Sequence, residues 1–272
     1  MPIGTNVLAL SYAYTEGDLG FDPVLEITDA EVEMQTAVVG FTHVFALADR
    51  TARVDVILPV QSGDWDGFVS GVPSSVSRDG LADPFLRLSV NLTGAPALEP
   101  KEFAAFRAEH PVQTTLSAAV EVRLPLGEYQ EDKLVNLGQN RFAIAPQLGV
   151  LHTRGEWSYE LTGSMHLFTD NDEFFNGNEL EQDPLYAGQA HVVKSFGQDW
   201  WVSAGVAYSW AGESTINGVA KDDEKSNLLS GTAFGFRASA SQSVRFTYVR
   251  TDTQNELGSD SDGLAVGWSF RF

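Results

Sequence analysis

The sequence predicts an all-β fold: a single domain, residues 1–272, that forms a twelve-stranded antiparallel transmembrane β-barrel of the outer-membrane type with one short periplasmic helix. Three observations predict it. Apolar and polar residues alternate along many segments, short and long connections alternate between these segments, and aromatic residues gather near their ends. No apolar run reaches the ~20 residues of a membrane-spanning helix, which excludes a helical membrane protein. A barrel is compatible with 43% hydrophobic residues, because alternate strand positions face its interior.

The alternation is clearest at the C-terminal end of the chain. Large apolar side chains occupy every second position there, and small or polar side chains lie between them. This is the period of a strand whose two faces meet different surroundings. An even number of such strands closes a barrel with both termini on one side. The predicted strands are 5–15, 33–46, 51–61, 81–93, 113–126, 139–152, 156–168, 185–196, 200–211, 226–240, 243–252 and 260–272.

The predicted connections fall into two classes. Those opposite the termini are mostly long and acidic, as are the extracellular loops of outer-membrane barrels. The connection 94–112 is an exception, because it is long although it lies on the side of the termini. The spacing of Phe103 and Phe106 in it predicts a short amphipathic helix over 100–107 at the periplasmic rim. The short connections lie on the side of the termini, at 47–50, 153–155, 197–199 and 241–242.

Aromatic side chains concentrate near the predicted strand ends, where amphipathic rings favour the two membrane interfaces. A soluble core rich in aromatic residues is the alternative, and the position of Trp residues near strand ends favours the membrane girdle. The predicted interface aromatics are Tyr12, Trp157, Trp200, Trp210, Trp268, Phe270 and Phe272.

Charge and composition exclude some classes of function. The net charge of −20 argues against nucleic-acid binding, which needs exposed Lys and Arg. The lack of cysteine suits a chain that crosses an oxidising periplasm. No signal peptide is visible before the first predicted strand, so we expect a processed form with an added Met or a protein that is not exported.

The strand faces opposite the aliphatic residues carry most of the strand charges and are predicted to line a lumen. Arg outnumbers Asp and Glu on these faces, so the wall is expected to favour anions or to polarise aromatic solutes through cation–π contacts. Alternatively, these Arg pair with acidic loops folded into the barrel and leave no net field. The predicted pore-lining residues are Arg53, Asp55, Arg87, Glu121, Arg123, Arg141, Glu160, His166, Gln189, His191, Arg237, Arg245 and Arg271.

The passage is expected to be narrow. Two long loops, 16–29 and 64–80, are expected to fold inward, and the glycines of the second loop allow tight bends. Twelve strands also make a smaller barrel than the ~16–18 strands of an open porin. We therefore expect low conductance and exclusion of large hydrophilic sugars.

Enzymatic and metal-binding functions are not favoured. Ser164, His166 and Glu160 share one predicted inward face, but residues i and i+2 of a strand lie ~6.5 Å apart, too far for a nucleophile and its base. The acidic clusters 170–172 and 222–224 offer oxygen ligands for Ca²⁺ without the EF-hand spacing, so solvated acids are the simpler interpretation. No catalytic residue, metal site or cofactor is predicted.

Several motifs in order along nearly the whole chain carry a resemblance to a known family. They include Pro2-x-Gly4-Thr5-Asn6, Tyr12-Ala13-Tyr14, Gly80-x-Ala82-Asp83-Pro84, Leu137-Gly138-x-Asn140-Arg141 and Gln182-Asp183-Pro184-Leu185-Tyr186. With these motifs the chain resembles the outer-membrane family labelled "MetA-pathway of phenol degradation". The resemblance implies a twelve-stranded channel for passive uptake of small hydrophobic or aromatic molecules. Phe272 and the alternating residues before it resemble the signal read by the barrel-assembly machinery.

The residues alone lead as far as an outer-membrane barrel with a polar lumen, and the class of solute comes from the resemblance. Two alternatives stay open: a soluble β-sandwich or barrel that binds a ligand, and a non-conducting barrel that anchors through its loops. The expected location is the outer membrane of a Gram-negative bacterium. The expected partners are membrane lipid, lipopolysaccharide and small hydrophobic or aromatic solutes.

Overall fold

The computed structural model describes residues 1–21, 25–255 and 257–272, and most of them lie in one antiparallel β-barrel. Alternating side chains favour strands throughout, because each strand presents one face to each side of the wall. The elements are β1 (Asn6–Gly20), β2 (Ile27–Leu47), β3 (Arg50–Val69), β4 (Val72–Leu81), β5 (Phe85–Thr93), α1 (Pro100–Glu109), β6 (Val112–Arg123), β7 (Ala143–Arg154), β8 (Trp157–Phe168), β9 (Asn171–Phe174), β10 (Asn178–Gln182), β11 (Leu185–Phe196), β12 (Trp200–Ala211), β13 (Ser214–Ile216), β14 (Val219–Ala220), β15 (Lys225–Arg237), β16 (Gln242–Thr253) and β17 (Gly258–Arg271).

The barrel is closed and has twelve strand positions, as predicted. The first and last strands close it, with Val7 opposite Arg271 and Gly20 opposite Gly258. Twelve positions result because β4 and β5 share one: β3 pairs with β4 along its extracellular half and with β5 along its periplasmic half. Closure satisfies the backbone hydrogen bonds that an open sheet edge would leave unpaired in a membrane.

Two of the predicted loops are folded into strands. Residues 64–80 were expected to bend inward, but β3 and β4 instead continue as a paired hairpin that turns at Ser70 and Gly71. Both turn residues have positive φ, 49° and 77°. The prediction was wrong because Gly and Asp in this segment resemble loop composition, although the backbone pairing continues beyond the apolar part of the wall. In the predicted loop 16–29, β1 extends to Gly20 and β2 begins at Ile27, while Asp22, Pro23 and Val24 lie outside the described residues.

The extracellular connections carry a second, small sheet. Strands β9 and β10, from the connection between β8 and β11, pair with β13 and β14, from the connection between β12 and β15. Leu180 of β10 lies opposite Ile216 of β13 in this sheet. The two connections therefore form one ordered layer above the barrel.

The outer surface of the wall is an apolar band. Leu148, Leu161 and Leu264, from three different strands, are exposed by 62%, 61% and 64%. Such large exposed side chains repeated around a closed barrel match the lipid-facing band of an outer-membrane protein. The chain is therefore an outer-membrane β-barrel, and the soluble sandwich considered as an alternative is wrong. None of the described helices is long and apolar enough to span a membrane.

Aromatic residues lie at both limits of this apolar band. Trp268 donates its indole N–H to Gln242 at 3.0 Å at the periplasmic end, and Phe196 stacks on Trp200 with 4.0 Å between ring centroids. At the extracellular end Tyr186 stacks on Trp210 at 5.6 Å. The other predicted interface aromatics are Trp157, Phe270 and Phe272 near the periplasmic ends of their strands, and Tyr12 farther along β1.

Acidic side chains mark the extracellular limit of the band on one side of the barrel. Glu16 lies on the outer face of β1, two residues beyond Tyr14, and it pairs with Glu33 on one neighbouring strand and Asp262 on the other. Carboxylates are unfavourable in hydrocarbon, so the membrane surface lies between Tyr14 and Glu16 on this strand.

Helix α1 connects β5 and β6 on the periplasmic side, as predicted, and is the single helix among the described residues. Pro100 occupies its first turn, and the Glu102 carboxylate accepts the Glu99 backbone N–H at 3.3 Å. These features begin the helix by satisfying a backbone donor that has no partner within it. Phe103 and Arg107 then line the periplasmic mouth of the barrel.

Candidate functional site: the barrel interior

The middle of the barrel holds a polar cavity of about 530 Å³, here called the central chamber. Seven consecutive strand positions contribute to it, so it lies on the concave side of the wall. Seven of the predicted pore-lining residues line this chamber: Arg53, Asp55, Arg87, Glu121, Glu160, His166 and Gln189.

Charges in the central chamber are partly paired within the wall. Arg53 donates to Asp55 at 2.9 Å, and Asp55 also accepts a hydrogen bond from Thr42 at 2.6 Å. Arg87 donates to Gln147 at 3.0 Å, a contact that the sequence did not predict. Two arginines face three carboxylates in this chamber, so its lining is not basic. The partners are wall residues rather than the inward-folded acidic loops considered from the sequence.

The other predicted pore residues lie elsewhere in the molecule. His191 and Arg245 line a cavity of about 340 Å³ against the opposite wall. Arg123 lies over the Phe85 ring, 5.9 Å from its centroid. Arg237 ends β15, and Arg271 donates to the Ala240 carbonyl oxygen at 2.9 Å, so both lie at the periplasmic rim.

Ser164 and His166 make a contact that the sequence argument excluded. The Ser164 hydroxyl lies 3.3 Å from Nε2 of His166, because side chains two residues apart on one face lean towards each other. The expectation that they cannot meet was wrong. Both residues line the central chamber rather than the lipid-facing surface, and Glu160 accepts its hydrogen bond from Thr162 at 3.4 Å.

The periplasmic mouth is narrowed by the connection between β5 and β6. A cavity of about 330 Å³ there is lined by Phe103 and Arg107 of α1 together with Arg53, Arg87 and Glu160 of the wall. The amphipathic spacing of α1 predicted packing at the rim, but sequence gave no sign that Arg107 would point into the mouth.

The extracellular end of the barrel opens into the largest cavity described, about 980 Å³, here called the vestibule. Its lining combines large aliphatic and aromatic side chains with polar and charged ones, and it comes mostly from the connections between strands. Leu19 and Leu25 lie on one side, Leu134 belongs to the connection between β6 and β7, and Phe174 and Leu180 belong to the small sheet. Apolar residues within acidic, Gly-rich segments are the only signal that the sequence offered for this cavity.

Loop 124–142 is fastened to the wall at Asp83, which is 2% exposed. The Asp83 carboxylate accepts the backbone N–H of Gly127 at 2.9 Å and of Gln139 at 2.8 Å. These bonds lie where β4 and β5 separate and the strand pairing of the wall is interrupted. A buried carboxylate that accepts two backbone donors is held firmly in place.

Asn171 fastens the same loop to the small sheet. Its side chain is buried, 1% exposed, and donates to the Tyr129 hydroxyl at 2.9 Å and to the Gln139 carbonyl at 3.2 Å. Tyr129 in turn donates to the Glu173 carbonyl at 3.0 Å. The cluster 170–172 therefore has a structural role through Asn171, which ties loop 124–142 to the small sheet.

Asp223, in the cluster 222–224, has a structural role as well. It accepts both the backbone N–H of Ser214 at 2.5 Å and the Ser214 hydroxyl at 2.8 Å. Among the described residues, no group of three or more His, Cys, Asp or Glu side chains is arranged to hold a metal ion.

Comparison with known proteins agrees with this architecture. The family model described as "Putative MetA-pathway of phenol degradation" matches residues 13–266. The chain belongs to this family. The match covers most of the barrel, from β1 to β17, and it confirms the resemblance seen in the sequence motifs. A search of curated proteins found no match.

Solved structures show the same fold. The COG4313 outer membrane channel from Pseudomonas putida F1 is 22% identical over 100% of this chain and 97% of its own, with a TM-score of 0.82. The transport unit of the autotransporter AIDA-I from Escherichia coli is 8% identical over 99% and 91%, with a TM-score of 0.55. The NanC porin is 8% identical over 97% and 98%, with a TM-score of 0.54. At these identities the similarity concerns the barrel fold.

Proposed function

We propose that this protein is a passive outer-membrane channel for small hydrophobic or aromatic molecules. The observation that carries the proposal is the vestibule: an apolar cavity of about 980 Å³ at the extracellular end of a closed barrel. Cavities of this size and character suit small organic ligands. The family to which the chain belongs, with its description referring to phenol degradation, supports the same class of solute.

The order of the compartments gives the channel its expected behaviour. An apolar solute leaves water favourably when it enters the vestibule. The central chamber below is polar and charged, so the same solute binds weakly there and is not trapped. Conduction requires binding that is strong enough for entrance and weak enough for release. The seven predicted pore-lining residues of the central chamber would then form the low-affinity part of the route.

The size of the periplasmic mouth sets the size of the solute. Phe103 and Arg107 of α1 narrow a cavity of about 330 Å³ between the central chamber and the periplasm. Such a cavity fits a one- or two-ring aromatic molecule better than a hydrated oligosaccharide. We therefore expect low permeability to sugars.

Uptake in intact cells tests the proposal, because lipopolysaccharide makes the outer membrane a barrier that simple vesicles lack. The protein is produced in a Gram-negative host, and the fluorescence of N-phenyl-1-naphthylamine is followed as the probe reaches the inner leaflet. Producing cells should take up the probe several times faster than cells with an empty vector. Equal rates, with folded barrel present in the outer membrane, would instead favour a non-conducting anchor.

A second measurement separates this channel from a general diffusion pore. Proteoliposomes that contain the protein are placed in isosmotic arabinose or a trisaccharide, and swelling is followed by light scattering. We expect slow swelling in both sugars. Rapid swelling in the trisaccharide would contradict the proposed solute class.

A further inference from the structure

The vestibule contains a buried guanidinium that its surroundings do not satisfy. Arg141 lines the vestibule, and the residue is only 7% exposed. Its Nη2 donates to the side-chain oxygen of Gln182, while Nε and Nη1 are buried without a hydrogen-bond partner among the described residues. Buried donors of a charged group that lack partners are unfavourable, and in native proteins they are uncommon.

The position of Arg141 is fixed by the structure around it. The guanidinium lies over the ring of Phe168, 4.5 Å from the centroid. The preceding residue, Asn140, adopts a φ of 53° and donates to Asn171 at 3.1 Å and to Glu173 at 3.3 Å. Arg141 is therefore held at the junction of loop 124–142 and β7 rather than extended into solvent.

Nearby acidic groups do not neutralise Arg141 by contact. None of the ion pairs within 4.0 Å among the described residues includes it. Burial lowers the pKa of the Arg141 guanidinium, and the charge of Asp170 opposes that shift from a distance. The guanidinium still remains protonated at neutral pH.

Most of the other charged side chains described in the vestibule lining are also cationic. Lys221 and Lys225 line it together with Arg141, and the one described carboxylate in the lining is Asp223. The Asp223 carboxylate accepts a hydrogen bond from the Ser214 hydroxyl and lies 3.9 Å from the Lys225 ammonium. In a chain of net charge −20, the described lining of this cavity thus combines apolar side chains with three cationic side chains and one carboxylate.

We infer that the vestibule selects amphiphilic monoanions, in which one carboxylate is joined to an apolar aliphatic or aromatic body. The carboxylate displaces the Gln182 side-chain oxygen from Nη2 of Arg141 and accepts Nη2 together with one of the two free N–H groups, which form a planar fork that matches it. The apolar body occupies the cavity lined by Leu134, Phe174 and Leu180. This inference rests on the proposed function and names the solute class of the same route.

Binding to the purified protein in lipid nanodiscs tests the inference. The probes are 1-naphthoate and 1-naphthalenemethanol, which share an apolar body and differ in charge, with empty nanodiscs subtracted. We expect the wild-type protein to bind naphthoate at least about tenfold more tightly than the alcohol. Equal affinities would overturn the inference without the need for any variant.

Substitutions then locate the anion contact. Arg141→Gln should weaken naphthoate binding about tenfold and leave the alcohol unchanged, because only the carboxylate loses its partner. Lys133→Gln is the matched control: it removes one positive charge from the same loop, where Lys133 pairs with Asp132 at 2.6 Å in solvent. Equal losses of naphthoate binding in Lys133→Gln and Arg141→Gln would show that overall charge binds the anion. Unchanged binding in Arg141→Gln would show that Arg141 does not contact it.

Two further outcomes are informative. Acetate, which has the carboxylate without the apolar body, should not compete with naphthoate, and effective competition would reduce the site to a simple anion site. Failure of the inference is distinct from failure of the proposed function. Neutral N-phenyl-1-naphthylamine can still pass through a channel that does not prefer carboxylates, whereas a barrel that binds naphthoate without cellular uptake would be a binding protein only.

Discussion

The central chamber and the vestibule lie in one barrel, yet their chemistry differs because different parts of the chain build them. Strand residues line the central chamber, and Arg53, Asp55 and Glu121 make it polar. The vestibule is lined largely by connections, which supply Leu134, Phe174 and other apolar side chains. Strand alternation requires a contrast between the inside and the outside of the wall, whereas connections are free of that constraint. The route therefore changes from apolar to polar where loops give way to strands.

The largest expected effect concerns the attachment of loop 124–142, on which the shape of the vestibule depends. Asp83→Ala leaves the backbone N–H groups of Gly127 and Gln139 without their partner. We expect a loss of about 2–4 kcal/mol in the free energy of unfolding. Urea titration in lipid vesicles, followed by tryptophan fluorescence, measures it.

Asp79→Ala is the control for that variant. Asp79 is exposed and accepts a single hydrogen bond, from Ser62 at 2.5 Å. Its removal should change the stability by less than about 0.5 kcal/mol. Similar losses in both variants would mean that Asp83 has no special role in the wall.

A charge placed in each compartment tests the contrast directly. Leu180→Asp replaces an apolar side chain of the vestibule with a carboxylate and should slow cellular uptake of N-phenyl-1-naphthylamine about tenfold, because the cavity loses apolar contact surface and the added charge keeps water bound. Ala187→Asp adds the same charge to the central chamber, which is already polar. Uptake there should change by less than about twofold. Equal slowing of uptake in both variants would contradict the proposed difference between the vestibule and the central chamber.

Removing a positive or a negative charge from the central chamber should shift the ion selectivity by similar amounts in opposite directions. Arg87 and Glu121 face each other across β5 and β6. Because the lining carries similar numbers of both charges, Arg87→Gln should shift the cation-to-anion permeability ratio upwards about twofold and Glu121→Gln should shift it downwards about as much. Reversal potentials in a salt gradient measure both. A strong anion preference of the wild type would contradict this balance of charges and support the basic pore expected from the sequence.

The smallest effect lies outside both compartments, in the periplasmic turn between β7 and β8. The Lys194 ammonium, 2.6 Å from Glu156, and the Gly197 backbone N–H lower the pKa of the Glu156 carboxyl. A lowered pKa gives stability that is present above the ordinary value of the carboxyl and is lost as the pH falls through the folded-state value.

Glu156→Gln should therefore lower the urea midpoint slightly at pH 7, and its difference from the wild type should shrink steadily as the pH is lowered into the acidic range. Glu109→Gln, at the exposed end of α1, serves as the control and should match the wild type throughout. A difference for Glu156→Gln that stays constant as the pH falls would mean that packing, rather than the ion pair, is responsible.

Local pattern predicted the barrel wall well. The predicted strands 185–196 and 200–211 coincide with β11 and β12, and the predicted helix from Pro100 is present in α1. These predictions succeed because alternation and helical spacing are properties of a few neighbouring residues. The hairpin of β3 and β4 was missed because its Gly, Asp and Ser residues resemble loop composition, so no regular contrast between faces marks it in the sequence.

The sequence by itself determined that the wall has one apolar face and one polar face, since each residue's side of a strand follows from its position in the chain. Only the tertiary structure decided what fills the space inside the wall. Arg141, predicted as one of several pore arginines, became a buried and unsatisfied group because Phe168 and Gln182, distant in sequence, pack against it. The vestibule likewise depends on which connections fold over the barrel, and such contacts between distant segments leave no periodic trace in the sequence.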